Sequence, residues 1–515
     1  MSSVGKVYLV GAGSGDPGLI TVRAVECLKR ADVVFYDGLV NPLLLRYTSA
    51  AAERTCRISS IDGRALPQAE INRHLVEAAL SGKTVVRLKG GDPYLFGRGT
   101  EEAAALVAAG IPYEVVPGVS AALAASVYAG MSLTHREISS AVALITGHED
   151  PAKTESHLDY AALAQFPGTL VFYMGLHRLE AITEALIQAG KPAWTLAAVI
   201  SRGTWPQQRT VTGTLADIAA QVRAAELHAP SLIIVGECVR LRDSLQWFEQ
   251  RALFGMRVGI TRAEGQAYEV IDRVVELGGD PVLLPTIAIL PPADWSEVDA
   301  CLQRLDEYDW IVFTSANGVR QFCGRLWAQG GDARRLGRAK LAAIGTGTAA
   351  SLAEFHLHAD LVPDSFRAEA LAEALKPLVA GKKVLWARAS RGRDVLPTEL
   401  RAAGARLDEL VVYQNVDVTA LPAAVLTDIE QGKLHWIGLS SPSIARNLAE
   451  KLTPAARARL GHEVKLASIS PVTTAAAVEA GLPISAEATT YTWEGILQAI
   501  VMDRSAITTG SRSDL

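Results

Sequence analysis

A glycine-rich segment with two charged side chains is the part of the chain whose residue types most clearly suggest chemistry. It runs Arg-Leu-Lys-Gly-Gly-Asp-Pro-Tyr-Leu-Phe-Gly-Arg-Gly over residues 87–99. Its glycines permit positive φ angles and let the backbone approach a ligand closely. Asp92 offers a carboxylate, and Arg98 offers a planar set of donors that suits a substrate carboxylate. The segment therefore predicts a small-molecule site after the strand Val85–Leu88.

A second glycine-rich turn lies near the start of the chain. Gly13, Gly15 and Gly18 match the spacing of a dinucleotide-binding fingerprint, and Asp37 ends the next predicted strand. Asp16 and Pro17 argue against this interpretation, because an acidic side chain repels a pyrophosphate at the start of a helix. A tight turn from strand to helix explains the same glycines. A dehydrogenase that uses NAD is therefore a distant alternative.

Size and composition narrow the function classes. The chain has 515 residues and a formal net charge of -5. We expect about two to four domains, since one core does not grow to this length. The negative net charge gives no reason to expect nucleic acid as a partner.

The cysteines form no C-x-x-C pair, so the sequence predicts neither a zinc site nor a disulfide framework. His356 and His358 are expected at the surface and not on a metal. Without an apolar run of about 18 residues, we expect no membrane span and a cytoplasmic protein.

Strand-like runs alternate with helical patterns throughout, which is typical of α/β architecture. The strands predicted in the first half are Val7–Val10, Val33–Tyr36, Val85–Leu88, Tyr113–Val116, Ala141–Thr146, Leu170–Tyr173, Ala197–Ile200 and Leu232–Val235. Those predicted in the second half are Arg257–Thr261, Trp310–Thr314, Leu341–Ile344, Lys383–Trp386, Leu410–Tyr413, Trp436–Leu439 and Leu466–Ile469. Pro117-Gly118 marks a hinge, and the main domain boundary is expected near residues 250–256. The polar end, 504–515, is predicted to be a flexible tail.

Residues 5–248 resemble the uroporphyrinogen-III C-methyltransferases of the tetrapyrrole methylase family. The strings that carry the resemblance are residues 87–99, Tyr36-Asp37, Pro67–Asn72, Val116–Ala121, Leu133–Arg136, Thr146–His148 and Val171–Gly175. The resemblance implies a methylase domain over 1–250, with subdomains of about 1–116 and 119–248. It also implies methyl transfer from S-adenosylmethionine to a reduced tetrapyrrole with eight carboxylates, with S-adenosylhomocysteine as the second product. A homodimer through this domain is expected as well.

The family's functional positions map onto residues of this chain. Those implied to bind S-adenosylmethionine are Ser14, Gly90, Gly91, Asp92, Leu95, Ser120, Ala121, Met174 and Gly203. Asp37 matches the proton acceptor, and Arg98 and Arg136 match positions that would bind the carboxylates of the macrocycle.

The chain departs from the family at one motif. Relatives carry Gly-Lys-Arg-x-Gly-x-His before the Pro-Gln pair, with the lysine proposed as a proton donor. Ser59 stands at the lysine position and Arg64 at the histidine position. We expect that the lysine is dispensable, because C-methylation needs a base more than an acid. The alternative is a methylase that acts on another acceptor.

Residues 256–503 resemble uroporphyrinogen-III synthase, in strings that include Arg257–Arg262, Asp309–Gly318, Trp386–Gly392, Val412–Gln414, Ser440–Ser443 and Ile469–Ala476. The resemblance implies a two-domain α/β fold in which about 291–412 is inserted between 256–290 and 413–503, with the ligand in the cleft. It implies that hydroxymethylbilane loses water and closes to uroporphyrinogen III, with Tyr413 assisting the departure of the hydroxyl group. The implied substrate contacts are Arg262, Thr314, Ser315, Asn317, Arg388, Ser440, Ser441 and Thr473, with Arg391 and Arg393 adding positive charge.

The two resemblances together predict a bifunctional enzyme. Its second half would make uroporphyrinogen III, and its first half would methylate this product twice to precorrin-2, on the branch that leads to sirohaem and cobalamin. The alternative is a second half that is a binding or regulatory module without catalysis, because few of its side chains suggest chemistry.

Overall fold

The computed structural model describes residues 4–49, 51–56, 66–147, 158–365, 367–392 and 394–510. Ser59, Arg64, His148, Arg393 and residues 511–515, which the sequence analysis discussed, lie outside the described residues. The described residues form four five-stranded sheets, so the prediction of α/β architecture is confirmed. The chain divides into two compact units, Met1–Arg257 with Asp272–Pro281 and Val258–Ile271 with Val282–Leu515.

The first sheet is entirely parallel, with the order β3-β2-β4-β1-β5. Its strands are β1 (Val7–Gly11), β2 (Val33–Tyr36), β3 (Glu53–Cys56), β4 (Val85–Lys89) and β5 (Tyr113–Val116), and its helices are α1 (Val22–Arg30), α2 (Gln68–Leu80) and α3 (Gly99–Ala108). The next helix, α4 (Ala121–Tyr128), packs against the second sheet. Alternate residues of β1 face opposite sides: Val10 packs with Leu28 of α1, whereas Leu9 packs with Leu75 of α2. Helices on both faces explain why β1 and β4 are buried along their whole length.

The second sheet has the order β6-β7-β10-β8-β9, and only its β6–β7 pair is parallel. Its strands are β6 (Val142–Thr146), β7 (Thr169–Tyr173), β8 (Leu196–Ser201), β9 (Arg209–Thr214) and β10 (Ser231–Val235), and its helices are α5 (Tyr160–Gln165), α6 (Leu179–Gln188), α7 (Ile218–Ala224) and α8 (Arg242–Leu245). Phe172 and Ile233 face the core against α6, whereas Val171 and Ile234 face the core against α4. The pair of sheets is the two-subdomain arrangement expected of the first half.

The chain from Arg257 onward forms two further sheets. In chain order the strands are β11 (Arg257–Ile260), β12 (Asp280–Leu283), β13 (Ile287–Leu290), β14 (Trp310–Phe313), β15 (Lys340–Ala343), β16 (Lys383–Ala389), β17 (Arg406–Asp417), β18 (Trp436–Leu439), β19 (Lys465–Ser468) and β20 (Ala486–Glu487). The helices are α9 (Tyr268–Glu276), α10 (Ser296–Leu302), α11 (Ala316–Ala328), α12 (Thr346–Ala353), α13 (Ala368–Leu375), α14 (Val395–Ala402), α15 (Ala423–Glu430), α16 (Pro442–Lys451), α17 (Pro454–Arg457), α18 (Pro471–Glu479) and α19 (Trp493–Gly510).

The sheet order β12-β11-β18-β19-β20 draws its strands from both ends of this half, whereas the order β13-β17-β16-β14-β15 uses the residues between. β17 is 12 residues long. The first part of β17 pairs in parallel with β16, and its last part pairs antiparallel with β13. β13 and β17 therefore form the two-stranded connection between the sheets. The middle sheet spans 287–417, and the inserted segment 291–412 was expected in this part of the chain.

The last helix reaches into the segment 504–515, where a flexible tail stays a prediction. Helix α19 continues to Gly510, beyond the predicted end of the folded part at 503. Once a helix has formed, each further residue adds one hydrogen bond at the cost of ordering one residue, so a polar sequence can extend it. In the described part of the chain, no helix combines the length and apolar character needed to cross a bilayer.

Candidate functional site

Three loops of the first sheet meet at the carboxyl ends of β1, β4 and β5. Gly91 N donates to Gly13 O over 2.8 Å, which ties the loop after β4 to the loop after β1. Gly118 lies so close to both loops that a Cβ on it would be 2.1 Å from Gly91 O and 2.7 Å from Gly11 Cα. The glycines are required here because backbone packs directly on backbone.

Asp92 joins two of these loops through its carboxylate. Its Oδ1 accepts a hydrogen bond from Tyr94 N at 2.9 Å, and its Oδ2 accepts one from Gly118 N at 3.1 Å. A carboxylate has about four lone-pair positions, so Asp92 can still accept donors from a ligand. The sequence assigned Asp92 to the site, and the structure adds that it orients the neighbouring loop.

A space separates the loop after β4 from the start of α4. Gly91 has φ 69, and a Cβ on it would have no atom closer than Ser120 Cα at 3.9 Å and Ala121 N at 4.0 Å. The Ser120 and Tyr173 hydroxyls hydrogen-bond at 2.5 Å, and Ala122 N donates to the Tyr173 hydroxyl at 2.9 Å. These bonds fix the start of α4 against the end of β7, so both subdomains border this space.

Exposed apolar side chains border the same loops. Met174, directly after β7, is 51% exposed, and Phe96 is 36% exposed with its ring 4.9 Å from that of Tyr173. Phe96, Arg98 and Met174 all have positive φ angles, of 55, 59 and 54 degrees. Non-glycine residues in this region cost roughly 1–3 kcal/mol each and concentrate at binding sites. Leu95 lies between Tyr94 and Phe96 and is partly buried.

The loops that carry Ser14 and Gly203 are linked through Thr204. The Thr204 hydroxyl donates to Ser14 O and accepts from Asp16 N at 3.1 Å. A Cβ on Gly203 would lie 2.3 Å from the Ala125 Cβ, so that loop rests closely on α4. The structure therefore brings Ser14 and Gly203 together, although they are far apart in the sequence.

The same loop excludes the dinucleotide alternative. The Asp16 carboxylate caps a short 3-10 turn, Pro17–Leu19, by accepting from Gly18 N at 2.7 Å. Helix α1 begins only at Val22. A fingerprint loop needs the helix to begin at its last glycine, with free N–H groups for a pyrophosphate.

Asp37 directly follows β2 and lies beside the glycine-rich loop. A Cβ on Gly90 would be 3.0 Å from the Leu39 Cβ, which places the loop after Asp37 against Gly90. The side chain of Asp37 is 17% exposed, and its Oδ1 accepts from Arg87 Nη2 at 2.5 Å. Lys89 Nζ is 4.0 Å from Asp37 Oδ2. The sequence predicts no role for Arg87 or Lys89, although two charged residues in an otherwise apolar strand are a signal of one.

Arg98 lies at the surface beside the loop after β4, and Arg136 lies at the surface of the second subdomain. Arg98 donates to both carboxylate oxygens of Glu101, at 2.8 and 2.7 Å, with half of its side chain exposed. Arg136 is exposed, and it has no ion pair among the described residues. Both are therefore available to a polyanionic ligand, although Arg98 must share its guanidinium with Glu101.

In the second unit, Tyr413 meets a helix cap. Its buried hydroxyl lies 3.0 Å from Ser315 Oγ, and Ser315 Oγ accepts from Gly318 N at 3.0 Å at the start of α11. Thr314 Oγ1 accepts from Trp386 Nε1 at 3.0 Å, and Asn317 lies in the first turn of α11. The structure thus brings these predicted residues together at the end of β14.

Two predicted arginines have different surroundings. Arg388 is paired with Glu409 and stacks 4.3 Å over the ring of Trp386, so its charge is already compensated. Arg262, which follows β11, has no hydrogen bond or ion pair among the described residues. Burial, opposed by Glu269 and then aided by the charge of Arg320, holds the pKa of Arg262 below its ordinary value. A partly buried arginine of this kind suits an anionic ligand.

The remaining predicted residues lie at the carboxyl ends of β18 and β19, which are neighbours in one sheet. Ser441 follows Ser440 and caps α16 by accepting from Ile444 N at 3.3 Å. Thr473 is buried in the first turn of α18, whose cap is Ser470. The side chain of Asn447 on α16 donates to Asp417 of β17 at 2.6 Å. This contact joins the part that contains β18 to the part that contains the middle sheet. Among the described residues no cluster of His, Cys, Asp or Glu is arranged to hold a metal.

Comparison with protein families and known proteins agrees with this geometry. Residues 6–219 match the family model described as Tetrapyrrole (Corrin/Porphyrin) Methylases, and residues 269–498 match Uroporphyrinogen-III synthase HemD. A porphyrin biosynthesis protein HemD of Ruminiclostridium josui is 36% identical over 441 residues, which covers 85% of this chain and 87% of that protein.

Two further similarities concern the first half. A siroheme synthase of Pseudomonas fluorescens is 50% identical over 249 residues; the match covers 48% of this chain and 53%, about half, of that protein. A crystal structure of uroporphyrin-III C-methyl transferase from Thermus thermophilus, complexed with S-adenyl homocysteine, is 37% identical with a TM-score of 0.39, over 46% of this chain and 94% of that one.

Proposed function

Because the chain belongs to the tetrapyrrole methylases in its first half and to the uroporphyrinogen-III synthase family in its second half, we propose that it is a bifunctional enzyme of tetrapyrrole biosynthesis. The second half cyclises hydroxymethylbilane to uroporphyrinogen III. The first half methylates this product twice to precorrin-2, with S-adenosylmethionine as the methyl donor. The observation that carries the methylase assignment is the meeting of the Gly91, Asp92 and Ser120 loops beside Asp37.

The residues present fit S-adenosylmethionine. A Cβ on Gly91 would partly fill the space in front of Ser120 and Ala121, so this glycine leaves room for a ligand against the backbone. Asp92 and the backbone groups of these loops can bind the polar atoms of the ligand, and Met174 and Leu95 offer apolar surface. When bound, S-adenosylmethionine supplies an electrophilic methyl group.

The remaining steps fall to side chains of the chain itself. Asp37 accepts the proton that the macrocycle loses once the methyl group has been added, because its carboxylate lies beside the Gly90 loop and is held by Arg87. Arg98 and Arg136 bind carboxylates of the macrocycle and orient the carbon to be methylated. Positioning and proton removal are thus the tasks that the protein performs.

In the second half, the main task of the protein is to bind and fold the substrate. Arg262, which has no ion pair among the described residues, and the backbone N–H groups at the starts of α11, α16 and α18 suit a polycarboxylate. The Tyr413 hydroxyl, held by Ser315, donates to the hydroxyl group that leaves as water. The folded substrate then closes through its last ring.

The direct test is to supply hydroxymethylbilane to the purified full chain with and without S-adenosylmethionine. We expect the type III isomer alone in the absence of the methyl donor and a product with two added methyl groups in its presence, measured by chromatography and mass spectrometry. Formation of only the type I isomer would show that the second half is a binding module. No gain in mass from uroporphyrinogen III would favour a different methyl acceptor, the alternative that Ser59 motivates.

A homodimer through the methyltransferase domain is part of the same proposal. Helix α4 exposes 59% of Leu123 and 53% of Val127, apolar side chains that a second copy could cover. Light scattering of the full chain measures this directly, and a monomer at micromolar concentration would contradict it.

A further inference from the structure

Strand β4 carries two cations into the interior of the first subdomain. Arg87 and Lys89 are 0% and 1% exposed, and they share a face of the sheet with Val85, toward α2 and α3. Helix α3 supplies Glu102, which is 0% exposed. A buried network of charges therefore lies under the end of β4, next to the glycine-rich loop.

The distances show that these charges enclose Asp37. Glu102 Oε1 accepts from Arg87 Nε and from Lys89 Nζ, each at 3.0 Å. Arg87 Nη2 also donates to Asp37 Oδ1 at 2.5 Å, and Lys89 Nζ lies 4.0 Å from Asp37 Oδ2. Each cation thus stands between the two carboxylates, and the formal charges of the four side chains cancel.

Stability alone does not explain this network. Removing charges from water is costly, and apolar side chains of similar volume often replace buried ion pairs without loss of stability. Glu102 Oε2 and Gln68 Oε1 are also buried without a hydrogen-bond partner, which adds to the cost. Asp37 is the one partly exposed side chain of these four, so the network acts on the candidate site through the Asp37 carboxylate.

We propose that Arg87, Lys89 and Glu102 are positioning residues for Asp37: Arg87 fixes one carboxylate oxygen, Lys89 sets the charge beside the other, and Glu102 balances both cations. This inference rests on the proposed function, in which Asp37 accepts a proton during methyl transfer. Changing the charge beside Asp37 should therefore change the pH dependence of methyl transfer.

Helices α2 and α3 contribute further groups near the network. Helix α2 contributes the uncharged Gln68, whose Nε2 donates to Glu102 Oε1 at 3.2 Å. In the first turn of α3, the hydrogen bond from Arg98, with a smaller contribution from Lys89, holds the pKa of Glu101 below its usual range. Burial, and then the charge of Arg87, lower the pKa of Lys89. Removal of Lys89 or Glu102 therefore changes the charge near Asp37 and leaves in place the hydrogen bond from Arg87, the closest cation.

The test is the pH dependence of kcat for methyl transfer, measured with the full chain at saturating uroporphyrinogen III and S-adenosylmethionine. The variants are Lys89→Met and Glu102→Gln. The matched control is Lys191→Met, because Lys191 is also a buried lysine but donates to backbone carbonyls of Ala164 and Phe166 in the other subdomain. Binding of S-adenosylmethionine and a cooperative thermal transition verify that each variant is folded.

The two variants should move the acid limb of the profile in opposite directions. Loss of the Lys89 cation lets Asp37 hold its proton more tightly, so the midpoint should rise by about one pH unit. Loss of the Glu102 anion should lower it by about one unit, because both cations then act on Asp37 without compensation. Lys191→Met should leave the midpoint unchanged.

Shifts in the same direction, or no shift in either variant, would overturn the positioning role while methyl transfer by the unmodified chain still supported the proposed function. Absence of methyl transfer by the unmodified chain would overturn the proposed function itself. If Lys89→Met shows no cooperative transition, Glu102→Gln, which keeps the side-chain shape, decides the matter alone.

Discussion

Asp92 is the side chain whose hydrogen bonds join two loops of the candidate cofactor site. Asp92→Ala should weaken binding of S-adenosylmethionine by about 1–3 kcal/mol, the cost of removing a charged partner from a largely desolvated site. Calorimetry on the full chain measures the affinity. Asp159→Ala is the control, since Asp159 also accepts from a backbone N–H but caps α5. Equal affinities for the two variants would remove Asp92 from the site.

Asp37 and Asp32 flank the two ends of β2, so substitutions of the two residues can be compared directly. Asp37→Asn keeps the shape and an acceptor for Arg87, so we expect unchanged binding of S-adenosylmethionine and a loss of methyl transfer of about 10²–10⁴-fold. Asp32→Asn is the control, because Asp32 precedes β2 and its carboxylate accepts from Thr84 N at the opposite end of the strand. Full turnover by the Asp37 variant would make its role structural.

Tyr413 should affect only the second activity. Tyr413→Phe removes the hydroxyl that Ser315 holds, so ring closure should slow by about 10²-fold, with more type I isomer formed spontaneously. Tyr308→Phe is the matched control, as its hydroxyl donates to Asp408 at 2.6 Å in the same unit. Equal effects of the two substitutions on isomer ratio would argue against a role in water loss.

At the scale of single residues, the sequence could identify the loop residues but not the partners that orient them. Gly90, Gly91 and Asp92 stand out because a glycine-rich loop follows a strand. Arg87 and Lys89 stand out only as charges in an apolar strand. Their contacts with Glu102 depend on how β4 and α3 pack, and no spacing along the chain records those contacts. Thr204 and its link to Ser14 were missed for the same reason.

At the scale of elements, the junction of the loops after β4 and β5 depends on Gly118. Gly118→Ala would place a Cβ 2.1 Å from Gly91 O, so the two loops must separate. We expect a loss of stability of about 1–3 kcal/mol and much weaker binding of S-adenosylmethionine, measured by denaturant unfolding and calorimetry. Gly324→Ala in α11 is the control, since its Cβ would meet no atom within 4 Å. A stable Gly118 variant with normal affinity would contradict this account.

The strands that the sequence missed share a position in their sheets. β3 and β9 lie at the edges of the first two sheets, and β12, β13 and β20 lie at edges in the second unit. An edge strand is covered on fewer sides, so its residues need not be apolar, as in Arg209–Thr214. Central strands such as β10 are buried on both faces and give the continuous apolar runs that the sequence analysis recognised.

At the scale of the whole molecule, the two compact units should unfold separately. S-adenosylmethionine at 100 times its dissociation constant stabilises the state that binds it by about 2.7 kcal/mol. A shift of about 2–4 °C per kcal/mol is expected for a unit of this size. Calorimetry should show one transition raised and the other unmoved, and Asp92→Ala should abolish most of the shift. Equal movement of both transitions would mean that the units unfold together.

The distance in sequence between β11 and its neighbour β18 has a consequence for synthesis of the protein. β11 ends at Ile260 and β18 begins at Trp436, with the whole middle sheet encoded between them. At about 5–20 residues per second, a ribosome needs on the order of 10 to 30 seconds to deliver the partner. During this time the middle sheet can fold from segments that are close in sequence, whereas the apolar edge of β11 remains without its partner strand β18. Translation rate and chaperones should therefore influence the yield of the second half more than that of the first.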